Sequence, residues 1–362
     1  MTTVLGISPK LLPIHPQPQP DELLSSWIVA LARGNHFKVH SFCIRLGGNQ
    51  NTIWNRDVDR MVPPDVVEKL SAMTGQAPEK IRALSLAHIA ELIDVDHHAN
   101  GSATWILPLG VWHRKRLRHG VQFCPMCLGF DKRPYVRRSW RLAYYTECEH
   151  HQVLLLDRCP SCGDAFTYFR GELGNRAKVD AANLNCCVNC DFDLWGSVAE
   201  RFEWPDWQLT VATRTLQFMN DFGWATLDNR NYTPAHELLL VIRQLIKVMS
   251  SGSRAGQLYD TVAMYLWPEG YPVLSERSKD YERRSVIERH RLFGMAVWLL
   301  MDWPGRFERS FRYAYIHRHS LTRDMKVVPA WYGELTWERA MDEGGSILPA
   351  QRSTLLLRAP EA

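Results

Sequence analysis

The sequence predicts a mainly α-helical protein interrupted by two small ribbons, and three patterns carry that prediction. Apolar residues recur at helical spacing on both sides of the chain's centre, in Leu23, Leu24, Trp27, Ile28 and Leu31 and again in Leu238, Leu239, Ile242, Leu245, Ile246 and Met249. Between these regions four pairs share one two-residue gap: Cys124 with Cys127, Cys148 with His151, Cys159 with Cys162, and Cys187 with Cys190. Proline and glycine punctuate the helical runs at Pro63-Pro64, Gly75, Pro78 and Pro304-Gly305. A two-residue gap lets one tight turn aim both side chains at one ion, and two such turns fill the corners of a zinc tetrahedron. The expected order is an N-terminal helix-turn-helix-like domain over residues 1–115, two tandem zinc-binding modules over 116–200, a C-terminal helical domain over 201–343 and a loosely ordered tail over 344–362.

Along the chain, the alternating prolines of residues 12–20 give an extended lead-in. Asp21 then stands where a helix cap is expected, and the apolar stripe that follows runs until Gly34-Asn35. A second helix fits Val39 to Leu46, burying Phe42 and Cys43 and ending at Gly47-Gly48. Pro63-Pro64 opens a third, with Val66, Val67, Leu70 and Met73 on one face and Thr74-Gly75 as its stop. Pro78 starts a fourth that runs to Leu86, so the two make a helix, turn, helix arrangement of the kind that presents a helix to a major groove. Glu79, Lys80, Arg82 and Ser85 are all the polar side chains this last helix offers, which suits packing or protein docking as well as base reading. Beyond Gly196, helices fit Gln208 to Phe222, Pro234 to Met249 and Ser285 to Met301, with a flexible break from Ser250 to Gly256 and a basic, aromatic stretch from Arg306 to His319.

Length and composition bound the class. At 362 residues the chain exceeds what one hydrophobic core serves, and 46% hydrophobic with 23% charged residues is ordinary for a soluble globular protein. Met1 to Lys10 lacks a signal-peptide pattern and the longest apolar run, Phe293 to Met301, is too short to cross a bilayer, so no membrane partner is expected. Cysteines spent mostly on ligand pairs suit a reducing, cytoplasmic compartment. The formal charge of +4 is modest, but cationic residues crowd His113-Arg114-Lys115-Arg116-Leu117-Arg118-His119, and Lys132, Arg133, Arg137, Arg138 and Arg141 follow the first pair. This reads as a basic patch around the first metal site, either a solvated face, a seat for an acidic protein, or a phosphate contact made by Arg114, Lys115, Arg116 and Arg118.

Within the ligand pairs, the two-residue gap favours His151 over His150 and Cys187 over Cys186. Four protein ligands per ion leave no open position for water, so two zinc ions are expected and both are structural. Catalytic motifs are missing: no phosphate-binding Gly-x-x-x-x-Gly-Lys-Ser/Thr loop, no Gly-x-Ser-x-Gly elbow, and Leu240 where a zinc-protease helix starting at His236-Glu237 needs a second histidine. The chain is expected not to be an enzyme. Cleavage of DNA by the pure, metal-supplied protein is the observation that would favour a nuclease.

The order of these parts resembles the TniQ family, the target-selection subunits of Tn-type transposons, including the TnsD-like selectors. The resemblance rests on Pro16-x-Pro-x-Pro-Asp-Glu-Leu-Leu-Ser-Ser-Trp27 and Ala32-Arg33 to Asn35, on Phe123-Cys124-Pro125-Met126-Cys127-Leu128 with Cys148-x-x-His151, and on Leu154 to Cys159-Pro160-Ser161-Cys162-Gly163. It covers roughly the first half of the chain; the helical C-terminal half is similar only in character, with Leu299 to Pro304 the most family-like piece. One departure is Gln152, where glycine commonly follows the ligand histidine. The resemblance implies a non-catalytic adaptor that marks an insertion site and recruits an AAA+ transposition regulator. Family members choose sites by binding target DNA or by docking on an RNA-guided CRISPR complex, in some cases as a homodimer. A stand-alone zinc-ribbon DNA-binding regulator is the alternative, and it predicts that the protein selects a DNA sequence unaided.

Overall fold

Helices carry most of the architecture, as the apolar spacing predicts. The computed structural model describes residues 11–47, 53, 57–93, 103–109, 111–112, 115–116, 119–168, 184–219, 223–226, 232–250, 256–274, 280–314, 316 and 319–337. The chain forms two units, one from residues 1–91, 96–142 and 155–200 and the other from 92–95, 143–154 and 201–362. The predicted tail over 344–362 lies outside the described residues.

In the first unit, α1 (Leu24–Gly34) buries Leu24, Trp27, Ile28 and Leu31 as its spacing requires, and α2 (Val39–Gly47) buries Phe42 and Cys43. The indole N–H of Trp27 donates to the carbonyl of Pro16 at 2.8 Å, which fixes the proline-rich lead-in against α1. Asp21 does not cap this helix. It lies three residues ahead of Leu24 at φ 56°, and its carboxylate accepts from the backbone and hydroxyl of Ser139 and from Arg138 instead. The first turn is satisfied from a distance: Leu24 N–H donates to the Leu84 carbonyl at 2.9 Å and Ser25 N–H to the Asp59 carboxylate at 2.8 Å.

Two further helices follow, α3 (Pro64–Thr74) and α4 (Pro78–Arg82). Proline opens both, and α3 stops at Gly75, whose φ of 70° is the left-handed conformation that glycine takes at no steric cost. The expected run of α4 to Leu86 is cut short. Leu84 and Ser85 N–H reach only three residues back, the Ser85 hydroxyl also donates to the Arg82 carbonyl at 2.7 Å, and Leu86 N–H leaves the helix for the Asp59 carbonyl at 2.6 Å. A new helix, α5 (Ala87–Ile93), begins immediately. Val111–Trp112 (β1) and Lys115–Arg116 (β2) pair antiparallel, with Val111 opposite Arg116, and α6 (Pro125–Phe130) follows.

The arginines after the first cysteine pair are not a displayed basic patch, in contrast to the sequence expectation. Arg141 is fully buried, with Asp57 at 2.6 Å, Asp59 at 3.2 Å and the Leu107 carbonyl at 3.0 Å. Arg133 makes a two-pronged contact with the fully buried Glu22, Arg137 one with Asp131 while lying over the rings of Tyr135 and Trp140, and Arg138 pairs with Asp21. Of that set only Lys132 is exposed. Burying these guanidinium groups is tolerable because each carboxylate neutralises and hydrogen-bonds its partner. Burial pushes the Asp59 carboxyl up to about 6, with Arg141 pulling the other way, so the carboxylate is ionised at neutral pH.

The second unit contains α7 (Trp207–Gln217), the antiparallel pair β3 (Trp224–Thr226) and β4 (Tyr232–Pro234), then α8 (Ala235–Ser250), α9 (Gly256–Leu266), α10 (Val286–Leu300), α11 (Gly305–Tyr313), α12 (His319–Thr322) and α13 (Ala330–Trp337). Asp206 caps α7 by accepting from Gln208 N–H at 2.8 Å, and Ser285 caps α10 by accepting from Glu288 N–H. Pro234 belongs to β4 and not to the helix predicted to start there; residues 220–222 and 251–255, which fall in the predicted helix end and break, lie outside the described residues. Gly294 sits directly against the Trp204 ring, where a Cβ would overlap the indole. His290, fully enclosed beside Thr146 Oγ1 at 2.9 Å and stacked on Trp204, is pushed down by burial to about 3 and is therefore neutral.

Replacing Arg141 by Met is expected to cost about 3–5 kcal/mol, because Asp57 and Asp59 lose a buried counter-charge. A urea midpoint for Arg141→Met equal to that of the wild type would show that the guanidinium compensates nothing.

Candidate metal centres

Three of the four pairs are built on the same backbone turn. In Cys148 to His151, Gln152 N–H donates to the Cys148 carbonyl at 2.8 Å and Cys148 N–H to the Val153 carbonyl at 2.8 Å. The same two bonds recur around Cys159, through Gly163 and Asp164, and around Cys187, through Asp191 and Phe192, at 2.8–2.9 Å. Each turn closes by stepping into the left-handed region just after its second ligand: Gln152 at φ 52°, Gly163 at 74° and Asp191 at 59°. The turn leaves backbone N–H groups aimed at sulfur, those of Ser161 and Cys162 at Cys159 and those of Asn189 and Cys190 at Cys187. Burial is the larger influence and pushes both thiols up, Cys187 to about 12, and these donors oppose it by favouring the thiolate, the form that ligates a metal. The Cys124 pair differs: it opens α6, with Pro125 at the first helical position and Leu128 N–H on the Cys124 carbonyl.

The eight side chains gather as two groups of four. Cys124, Cys127, Cys148 and His151 form one and Cys159, Cys162, Cys187 and Cys190 the other, with the ligand atoms of each group within 4.8 Å of one another. The dimensions fit a tetrahedral ion. Bonds of about 2.3 Å to sulfur set a sulfur–sulfur edge of about 3.8 Å, and a shorter bond to nitrogen an edge of about 3.6 Å. Observed are 3.7 Å for both Cys159 to Cys190 and Cys162 to Cys187, and 3.6 Å for Cys148 Sγ to His151 Nδ1. These spacings are far too long for disulfides, and all nine cysteines are free. Both groups could hold a metal ion with every corner supplied by protein.

The neighbours left open by spacing fall away from the ion positions. His150 is exposed and pairs with Glu149 at 3.3 Å, while Cys186 forms a backbone bridge to Asp193. Of the basic cluster, Lys115 and Arg116 supply the backbone of β2, and Arg114 and Arg118 lie outside the described residues.

Sequence reasoning missed the packing that joins the ligand turns. Trp195, in the 3₁₀ turn Leu194–Gly196 held by the Asp193 carboxylate, lies flat on Gly129 of α6, where an added Cβ would stand 3.0 Å from the indole. Gly129 was the available signal, a glycine inside the short helix that the first pair opens. The rings of Phe123 and Phe166 meet at a tilt, with centroids 4.8 Å apart, and the backbones of Phe123 and Leu156 exchange hydrogen bonds at 2.8 and 2.9 Å.

Two outcomes are expected of this geometry. Cys159→Ser should lower metal content from two ions per chain to one by elemental analysis, whereas His150→Ala and Cys186→Ser should leave it unchanged. Gln152→Gly should raise stability by roughly 1 kcal/mol, because a side chain at left-handed φ is strained and glycine is not; a lower thermal midpoint would contradict this.

No curated protein matches the chain. Residues 13–155 match the family model of TniQ, which bears out over that segment the resemblance carried by the proline-rich lead-in and the first ligand pairs.

Proposed function

We propose that this protein is a non-catalytic target-selection adaptor of a Tn-type transposition system, holding two structural zinc ions and linking a target to an AAA+ transposition regulator. The match of residues 13–155 to TniQ is the observation that carries the reading. It is supported by the two closed four-ligand groups, whose thiolate-rich donor sets suit zinc and offer no position for a reacting water. The sequence carries no phosphate-binding loop, which accords with ATP hydrolysis being left to a separate regulator.

The target is either DNA or an RNA-guided CRISPR complex. The five-residue α4 and the internal pairing of Arg133, Arg137, Arg138 and Arg141 leave little surface for base reading in the helix-turn-helix-like region, which favours docking on another macromolecule. Direct contact with phosphates falls to Arg114, Lys115, Arg116 and Arg118. A homodimer would present two such clusters to one target, and the cytoplasm is the compartment in which DNA, guide complex and regulator meet. No helix among the described residues is long and apolar enough to cross a membrane.

The test is reconstitution with a Tn-type transposase and its AAA+ regulator. Recruitment of the regulator to target should require this protein and should occur without any DNA cleavage by the protein alone. Neutralising Arg114, Lys115, Arg116 and Arg118 together should weaken nucleic-acid association and flatten its salt dependence, by up to about 0.9 in slope for each phosphate that is no longer neutralised. Recruitment that proceeds without the protein would overturn the adaptor reading, and an unchanged salt slope would remove the basic cluster from it.

A further inference from the structure

The two groups of ligands differ in exposure. In the first, Cys124, Cys127 and Cys148 are 0–2% exposed and only His151 reaches partly to the surface. In the second, Cys159 and Cys187 are buried, but Cys162 and Cys190 are exposed. Each exposed sulfur has a buried sulfur 3.7 Å away: Cys190 beside Cys159, and Cys162 beside Cys187.

We propose that the second group is an oxidation-sensitive metal site, in which Cys162 and Cys190 are the sulfurs that peroxides and electrophiles reach, while the first group is shielded. The proposal rests on the metal reading above. Sulfur held as thiolate by a metal remains a nucleophile, and access then decides which thiolate reacts. The exposed thiolate attacks one oxygen of hydrogen peroxide, the O–O bond breaks, and with one proton taken up the products are a sulfenic acid and water. The neighbouring thiolate attacks the sulfenic sulfur, a second water leaves with a second proton, and a disulfide forms. Two electrons have passed from the two sulfurs to the peroxide. The two thiolates that remain are too few to hold the ion, which is released and takes the local folding free energy with it. In the first group the same chemistry meets three enclosed sulfurs and a nitrogen that peroxide does not oxidise under these conditions. The consequence is a chain that loses one ion and one ribbon under oxidative stress while the other group stays closed.

The experiment uses the full-length, zinc-loaded protein, with metal content measured first. Hydrogen peroxide is added with a zinc-sensitive dye present, and the sulfurs are mapped by peptide mass spectrometry. One ion per chain should leave at least ~10-fold faster than the other, with the new disulfide among Cys159, Cys162, Cys187 and Cys190. In a parallel arm without variants, limiting N-ethylmaleimide should label Cys162 and Cys190 ahead of every other ligand. The double variant Cys162→His with Cys190→His, which keeps four donors without the exposed sulfurs, should hold both ions and lose the fast phase. Equal release rates, earlier labelling of Cys124, Cys127 or Cys148, or a fast phase that survives in the double variant would each overturn the proposal. Fewer than two ions before any oxidant would instead overturn the metal reading beneath it.

Discussion

The Asp59 carboxylate is the constraint on which the first unit depends. It accepts from the backbone and hydroxyl of Ser25 at the start of α1 and from the guanidinium of Arg141, which lies between the first and second ligand pairs. One buried negative charge thus completes the first turn of a helix and neutralises a buried cation from the ligand-bearing stretch. Removing either partner strands the other in a medium that solvates charge poorly. Around this centre the same device repeats, with Glu22 and Arg133, Asp21 and Arg138, and Asp131 and Arg137. Backbone pairing reinforces it: Leu23 N–H reaches the Val136 carbonyl and Arg138 N–H the Asp21 carbonyl, each at 2.8 Å. The arginines therefore act as internal braces, and their charge is spent before any ligand arrives.

Much of this was legible in the sequence and some was not, for identifiable reasons. The ligand pairs could be read because a two-residue gap is a local geometric requirement, satisfied or failed within one turn. Spacing alone also separated His151 from His150 and Cys187 from Cys186, since a shorter gap points the side chain elsewhere. The stripes of α1, α3 and α8 were legible because burial imposes a 3.6-residue period on the side chains that meet the core. Asp21 and the arginines from 133 to 141 were misread because their partners are remote in sequence: Asp21 meets Ser139, and Arg141 meets Asp57 and Asp59. A run of cations looks like a patch until the carboxylates that answer it are placed. The truncation of α4 escaped for a related reason, since the Asp59 carbonyl that takes the Leu86 N–H lies on a distant segment.

For the functional reading, the division of labour among the parts matters more than any single residue. Four protein ligands per group would leave a bound metal no position for a reacting water, and the arginines from 133 to 141 are engaged with carboxylates. Among the described residues, what remains for recognition is surface that the core does not consume, including the exposed apolar side chains Phe130 and Trp195 near the ligand turns, at 72% and 50% exposure. An adaptor needs such rigid, unspent surface, and it needs little else.

The separation of the second group's two pairs carries one more consequence. Metal ligation there closes the chain between Cys162 and Cys187, and the entropy of closing a loop grows only with the logarithm of its length, about 0.6 kcal/mol for each doubling. Each turn is fixed by its own local hydrogen bonds, so neither depends on what joins them. Loop length by itself therefore carries little thermodynamic penalty there, whereas the buried Phe166 and Tyr168, just beyond the first turn, are held by packing. The length of that connection is thus set by what its flanking residues pack against and not by the cost of closing the loop.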